Sequence, residues 1–145
     1  MLSARVRWLI AALWVGSLWT IGYLVAPTLF ATLEDRALAG TIAGRLFRIE
    51  AWLSLACAGI LLVLFFKEKS KLEARELKIC LILVSAMMLC TLIGYFGLQP
   101  FMAALREAGL HTAEAKSRFG MLHGISSAIY LLQSGLGFAL LLKVR

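Results

Sequence analysis

Residues 45–66 read RLFRIEAWLSLACAGILLVLFF. The charges end at Glu50, and Ala51 to Phe66 then carries none before Lys67. Three further charge-free apolar runs share the chain: Trp8 to Leu33, Ile79 to Leu105 and Phe119 to Leu142. An α-helix rises about 1.5 Å per residue, so about 20 apolar residues cross a hydrocarbon core of about 30 Å. Three of the runs exceed that length, whereas Ala51 to Phe66 falls short of it. Together they predict an all-α integral membrane protein. Its expected form is an antiparallel four-helix transmembrane bundle with short outer-face helices. A single transmembrane domain is expected over 1–145, with spans near 6–30, 46–66, 78–99 and 119–142.

Composition supports this class, with 61% hydrophobic residues and a mean hydropathy of +0.88, both far above a soluble mixture. A formal charge of +7 raises the question of nucleic acid, but the positives gather on one side of the spans. Arg5, Arg7, Lys67, Lys69, Lys71, Arg75, Lys78, Lys143 and Arg145 lie there, against Arg36, Arg45, Arg48, Arg106, Lys116 and Arg118 on the other. Lys and Arg are retained on the cytoplasmic side of membrane helices, which predicts that both termini are cytoplasmic. Nucleic acid is therefore not expected as a partner, and the lipid bilayer is. The first run is about twice the length of a signal-peptide core and is read as an uncleaved span. Cys57, Cys80 and Cys90 lie in or beside apolar runs and imply no disulfide framework.

In the first span Gly16, Thr20, Tyr23 and Pro27 recur at helical spacing, so this stripe is expected to face the other helices. Leu38, Ile42, Leu46 and Ile49 share a face in the connection from Glu34 to Glu50, predicting a helix that continues into the second span. Two G-x-x-x-G pairs, Gly40 with Gly44 and Gly120 with Gly124, suggest close helix packing. Gln99-Pro100 predicts a kink or break, after which Phe101 to Ala108 would lie along the outer interface. The fourth helix is expected to start near Thr112.

The short second run draws Glu50 into the outer membrane region, where an ionisable group should face protein or water. Glu50, Ser54 and Cys57 share one helical face, and His123, Ser126, Tyr130 and Ser134 form a matching stripe on the fourth span. Tyr23, Tyr95 and Gln99 also fall in the outer half. The candidate ligand or proton site is therefore Glu50, His123, Tyr23, Tyr95, Gln99, Ser126 and Tyr130, with Arg45, Arg48 and Arg118 setting its electrostatics. Glu50, His123 and Met121 form an incomplete metal set of mixed softness. In the bland alternative, Glu50 pairs with Arg45, Arg48 or Arg118, and His123 satisfies a backbone carbonyl. No phosphate-binding glycine loop, nucleophile elbow or metalloprotease helix is present, so conventional hydrolase chemistry is disfavoured.

Trp14-Val15-Gly16, Ala26-Pro27-Thr28-Leu29-Phe30, Ala39-Gly40, Leu46-Phe47, Pro100 to Arg106, and Arg118-Phe119 to Leu122-His123-Gly124-Ile125-Ser126 resemble the transmembrane-protein-205-like family of small four-helix membrane proteins. The resemblance covers nearly the whole chain and implies, through its bacterial members, an inner-membrane location. Eukaryotic relatives are associated with tolerance of platinum drugs, which implies handling of metal complexes or small solutes. A weaker similarity reaches four-helix haem-associated oxidases and copper-resistance proteins, but the haem-associated proteins carry a first-helix histidine that this chain lacks, so haem is not favoured. The leading expectation is binding or transport of a small solute or metal species at the polar pocket. A non-catalytic accessory subunit, binding another membrane protein or itself, comes second, and a membrane redox enzyme third.

Overall fold

The computed structural model describes residues 2–70 and 72–144, leaving Lys71 and Arg145 of the basic set outside the described residues. Four helices long and apolar enough to cross a membrane follow one another: α1 (Ala4–Thr32), α2 (Arg36–Lys67), α3 (Ala74–Glu107) and α4 (Ala113–Lys143). The protein is an all-α membrane helical bundle. Each helix packs on its neighbours in the chain, and α4 closes the ring on α1. The short connections 33–35 and 108–112 lie at one end, called here the far end, opposite the termini.

Local chemistry sets the helix starts. Asp35 accepts from the backbone N–H groups of Ala37 (2.9 Å) and Leu38 (3.1 Å), capping α2, and Thr112 accepts from Ala115 N–H at 3.1 Å, capping α4. Between α3 and α4 the chain reverses at Gly109, whose φ of +80° suits a residue without Cβ. The short helices expected at one face are the first turns of α2 and the last turns of α3, continuous with the spans. Pro100 does not break α3. A π-helical stretch over Leu92–Leu98 precedes it, as one over Thr20–Val25 precedes Pro27 in α1. Wider i→i+5 turns relieve the clash between a proline ring and the carbonyl of the preceding turn.

The expected stripe on α1 is overturned in its first half. Gly16 and Thr20 are exposed, while Ala11, Trp14, Val15, Leu18 and Ala26 are buried. The π-helical stretch between Thr20 and Val25 shifts the register, so Tyr23 and Pro27 no longer continue the line through Gly16. On α2 the large apolar side chains also face outward, with Leu38 and Ile49 exposed, and the buried face runs Ala39, Ala43, Glu50, Ala51, Ser54, Cys57, Ala58 and Leu61. Lipid is as apolar as leucine, so small residues go between the helices and large ones to the surface.

The packed core fills the half of the bundle nearer the termini. Trp14, Val15, Ala58, Leu61, Phe65, Val84, Met87 and Leu140 interlock there. Gly137 makes this approach possible, because a Cβ on it would sit 2.9 Å from Val15 Cγ2 and 3.3 Å from Met87 Cε. Arg7 is buried beneath this core, paired with Glu68 and stacked over the Phe65 ring at 5.7 Å. In the far half the helices part.

Candidate functional site

That parting leaves a cleft of about 930 Å³, predominantly apolar, between all four helices. Glycines keep it open: Gly22, Gly40, Gly44 and Gly94 line it. Their role differs from the close helix contact expected of the G-x-x-x-G pairs. Cβ atoms on Gly40 and Gly44 would meet only side chains, those of Phe30, Gln99 and Arg106, at 3.8–4.0 Å. Nothing lies within 4 Å of a Cβ on Gly120 or Gly124, which are exposed.

Glu50 lies at the floor. The residue is only 4% exposed, yet it borders the cleft. Ser54, one turn along α2, donates to Glu50 Oε1 at 2.6 Å, and the Trp14 indole donates to Ser54 Oγ at 2.7 Å. Among the described residues no cationic side chain pairs with Glu50. A buried carboxylate without a countercharge is costly in a membrane bundle.

Above Glu50 stands an aromatic tier. The Tyr130 ring meets Phe47 edge-on at 5.5 Å and Tyr23 at 6.1 Å. Its hydroxyl donates to the Leu18 carbonyl at 2.6 Å, and the ring lies against the bare face of Gly22. Tyr23 contacts Ser134 Oγ at 2.8 Å; because Ser134 donates to the Tyr130 carbonyl at 2.9 Å, Tyr23 is the donor. Gln133 reaches across to Thr91, donating at 2.9 Å.

All seven side chains of the sequence-derived set, Glu50, His123, Tyr23, Tyr95, Gln99, Ser126 and Tyr130, border this one cleft. Glu50 and His123 nevertheless do not share a depth. Phe47 and Tyr130 are level through their ring contact, Glu50 lies beyond Phe47, and His123 precedes Tyr130 on a helix running in the same direction. The offset is about ten residues, or about 15 Å of helix. His123 instead stacks on Phe119, with ring centroids 6.1 Å apart, toward the mouth.

The arginines expected to govern the electrostatics stand elsewhere. Arg45 and Arg48 are exposed and outside the lining, although Arg48 Nε donates to the Tyr95 hydroxyl at 3.1 Å. Arg118 pairs with Glu114 at 3.0 Å on the surface. Arg36 and Arg106 line the cleft in their place. Arg106 lies over the Phe119 ring at 5.6 Å and donates to the Gly40 carbonyl at 3.4 Å. Met121 is 61% exposed and off the lining, so it joins neither Glu50 nor His123. No cluster of three His, Cys, Asp or Glu side chains placed to hold a metal occurs among the described residues.

Phe47, Thr91, Gln133 and Arg106 also border the cleft, outside the set expected from sequence. A signal existed for Arg106: Gln99, Met102 and Arg106 follow one another at i, i+3 and i+7, which puts them on one face.

Residues 9–111 match the family described as a domain of unknown function, DUF4149. The chain belongs to this family. No curated protein and no solved structure matches it. The DUF4149 region takes in α1 from residue 9, all of α2 and α3, and ends in the connection before α4. It therefore supplies Tyr23, Glu50, Tyr95, Gln99 and Arg106, while Ser126, Tyr130 and Gln133 come from the helix that follows.

Proposed function

We propose that this DUF4149 protein binds a small organic solute in the cleft of the far half, with Glu50 as its polar anchor. The observation that carries this reading is a buried carboxylate, free of any ion pair among the described residues, at the floor of a mainly apolar cleft of about 930 Å³. Ligand sites have this character: a large apolar wall and a few convergent polar groups. Intramembrane ionisable residues are functional by default.

An organic solute suits the lining better than a metal ion. Glu50 offers one carboxylate, the imidazole of His123 is about 15 Å away along the bundle, and Met121 lies outside the cleft. The resemblance to the transmembrane-protein-205-like family supports handling of solutes in the same general sense. The basic residues at the terminal end favour a cytoplasmic location for both termini, so the cleft would open away from the cytoplasm, in a bacterial inner membrane. Whether bound solute crosses the bundle depends on opening the packed core around Trp14 and Leu61.

The test is ligand-dependent thermal stabilisation of the purified protein across a panel of small organic solutes. Stabilisation should disappear when Gly44→Phe fills the cleft and weaken in Glu50→Gln. A panel with no stabilising member, or stabilisation indifferent to both changes, rejects the reading.

A second reading, an accessory subunit, rests on the exposed Gly120 and Gly124, which leave room on α4 for another helix. Bulky substitutions there would abolish co-purification of a partner without affecting solute binding.

A further inference from the structure

We infer that the cleft takes a lipophilic organic monocation, whose positive centre sits against Glu50 and whose apolar body lies among Tyr23, Phe47 and Tyr130. This inference rests on the cleft being a solute site and assigns the class of solute. Three observations lead to it.

The first is the missing countercharge. Glu50 is buried, accepts one protein hydrogen bond, from Ser54, and has no cationic partner among the described residues. A bound cation supplies what the fold omits. An anion at the same floor would gain no such partner, and against the ionised carboxylate it would meet a like charge in a medium of low dielectric, where repulsion is strongest.

The second is the tier next to the carboxylate. Tyr23 and Phe47 each pack edge-on to Tyr130, and all three border the cleft. Aromatic faces carry negative quadrupole potential, and assemblies of them receive ammonium-type cations that are already poorly hydrated. A strongly hydrated inorganic ion would lose its water and gain a single carboxylate in return. A cation whose charge is wrapped in apolar groups loses little and gains the apolar wall.

The third is the mouth. Arg106, held by the Phe119 ring and the Gly40 carbonyl, lies between the levels of Gly40 and Gly44, about 12 Å of helix above Glu50, and Arg36 joins it in the lining. A second positive charge at the far end of the ligand would meet these guanidinium groups. One charge at the floor is therefore the complement of this cleft. The remaining titratable side chains that border it, His123, Tyr95 and Cys90, offer no second carboxylate.

Calorimetric titration of the detergent-solubilised protein tests the assignment, with protein-free micelles subtracted. Three probes are compared: tetraphenylphosphonium, tetraphenylborate, which has nearly the same shape and the opposite charge, and neutral triphenylphosphine oxide. Tetraphenylphosphonium should bind saturably at one site. Glu50→Gln should weaken it at least about tenfold, whereas Glu50→Asp, which keeps the charge, should retain most of the affinity, so that loss of charge is told apart from a perturbed fold. Glu114→Gln on the exposed surface should change nothing. Tetraphenylborate binding as tightly as tetraphenylphosphonium, or affinity unchanged in Glu50→Gln, overturns the cation assignment. If the neutral probe alone binds, and Gly44→Phe abolishes that binding, the cleft stands as a solute site and only the cation class fails. If no probe saturates, or binding persists in Gly44→Phe, both fail together.

Discussion

The Trp14 indole N–H donates to Ser54 Oγ at 2.7 Å, across the boundary between packed core and open cleft. Ser54 has one proton to give, and with the indole occupying an acceptor position that proton is directed to Glu50 Oε1 at 2.6 Å. The core thus fixes the orientation of the carboxylate at the cleft floor. Such positioning from behind is what holds a polar anchor to one geometry.

Ser54→Ala should cost more than a lost hydroxyl. Trp14 and Ser54 are both fully buried, so the substitution leaves the indole N–H unpaired and removes a donor from Glu50. A buried unsatisfied donor costs about 1–3 kcal/mol. Thermal unfolding in detergent should show a clear loss for Ser54→Ala and almost none for Ser117→Ala, which is exposed at the far end.

Two glycines a half-turn apart on α4 should respond oppositely to alanine. Gly137 is buried against Val15 and Met87, with 2.9 Å and 3.3 Å to the nearest atoms of a Cβ, while Gly135 faces open space. Overpacking a core costs about 1–3 kcal/mol, so Gly137→Ala should lower the unfolding temperature. Gly135→Ala should leave it unchanged or raise it, through the better helix propensity of alanine. Equal effects at the two sites would contradict the packing of Gly137 against Val15 and Met87.

Gly22→Ala should act on the cleft rather than on the core. A Cβ there would collide with the Tyr130 ring, which is tied to the Leu18 carbonyl and flanked by Tyr23 and Phe47. Displacing that ring disorders the aromatic tier, so solute binding should fall with only a moderate loss of stability. Gly16→Ala, six residues earlier with nothing within 4 Å, is the matched control.

How much of this was legible in the sequence depends on helical register. Glu50, Ser54 and Cys57 share a face by spacing alone, and all three are buried together. The same arithmetic, applied to the arginines, would have corrected the electrostatic assignment. Arg45 and Arg48 precede Glu50 by intervals that rotate them about 140° and 160° away from it, and both are exposed. Closeness in sequence was mistaken for closeness in space. The α1 stripe failed for a different reason, because a π-helical stretch between Thr20 and Val25 has no signature in the apolar pattern. Relative depth is not legible in this way either. The length of an apolar run locates its ends relative to lipid, but the level at which two helices meet is set by contacts such as Phe47 on Tyr130.

The two ion pairs should differ sharply in worth. Arg7 is 4% exposed and Glu68 15%, whereas Arg118 and Glu114 are 67% and 75% exposed. Removing one member of a buried pair strands the other charge at a cost of about 3 kcal/mol, while an exposed pair contributes about 1 kcal/mol or less. Glu68→Gln should therefore destabilise strongly and with little dependence on salt, and Glu114→Gln should be nearly silent. The buried guanidinium makes the contrast sharper, because Arg7 Nε already has no hydrogen-bond partner.

Arg106 should set an upper limit on ligand charge. It lines the mouth of the cleft, over Phe119 and beside the Gly40 carbonyl, about 12 Å of helix above Glu50. Decamethonium carries two quaternary ammonium groups separated by a chain of comparable reach, so one group against Glu50 brings the other up to Arg106. Wild-type protein should bind it at least about tenfold more weakly than a monocation of similar apolar surface. Arg106→Gln removes the like charge while keeping a polar side chain, and should raise the affinity for decamethonium while leaving the monocation nearly unaffected. Were the two ligands to gain equally, Arg106 would be restricting entry by its bulk, and the preference for a single charge would have to originate elsewhere in the cleft.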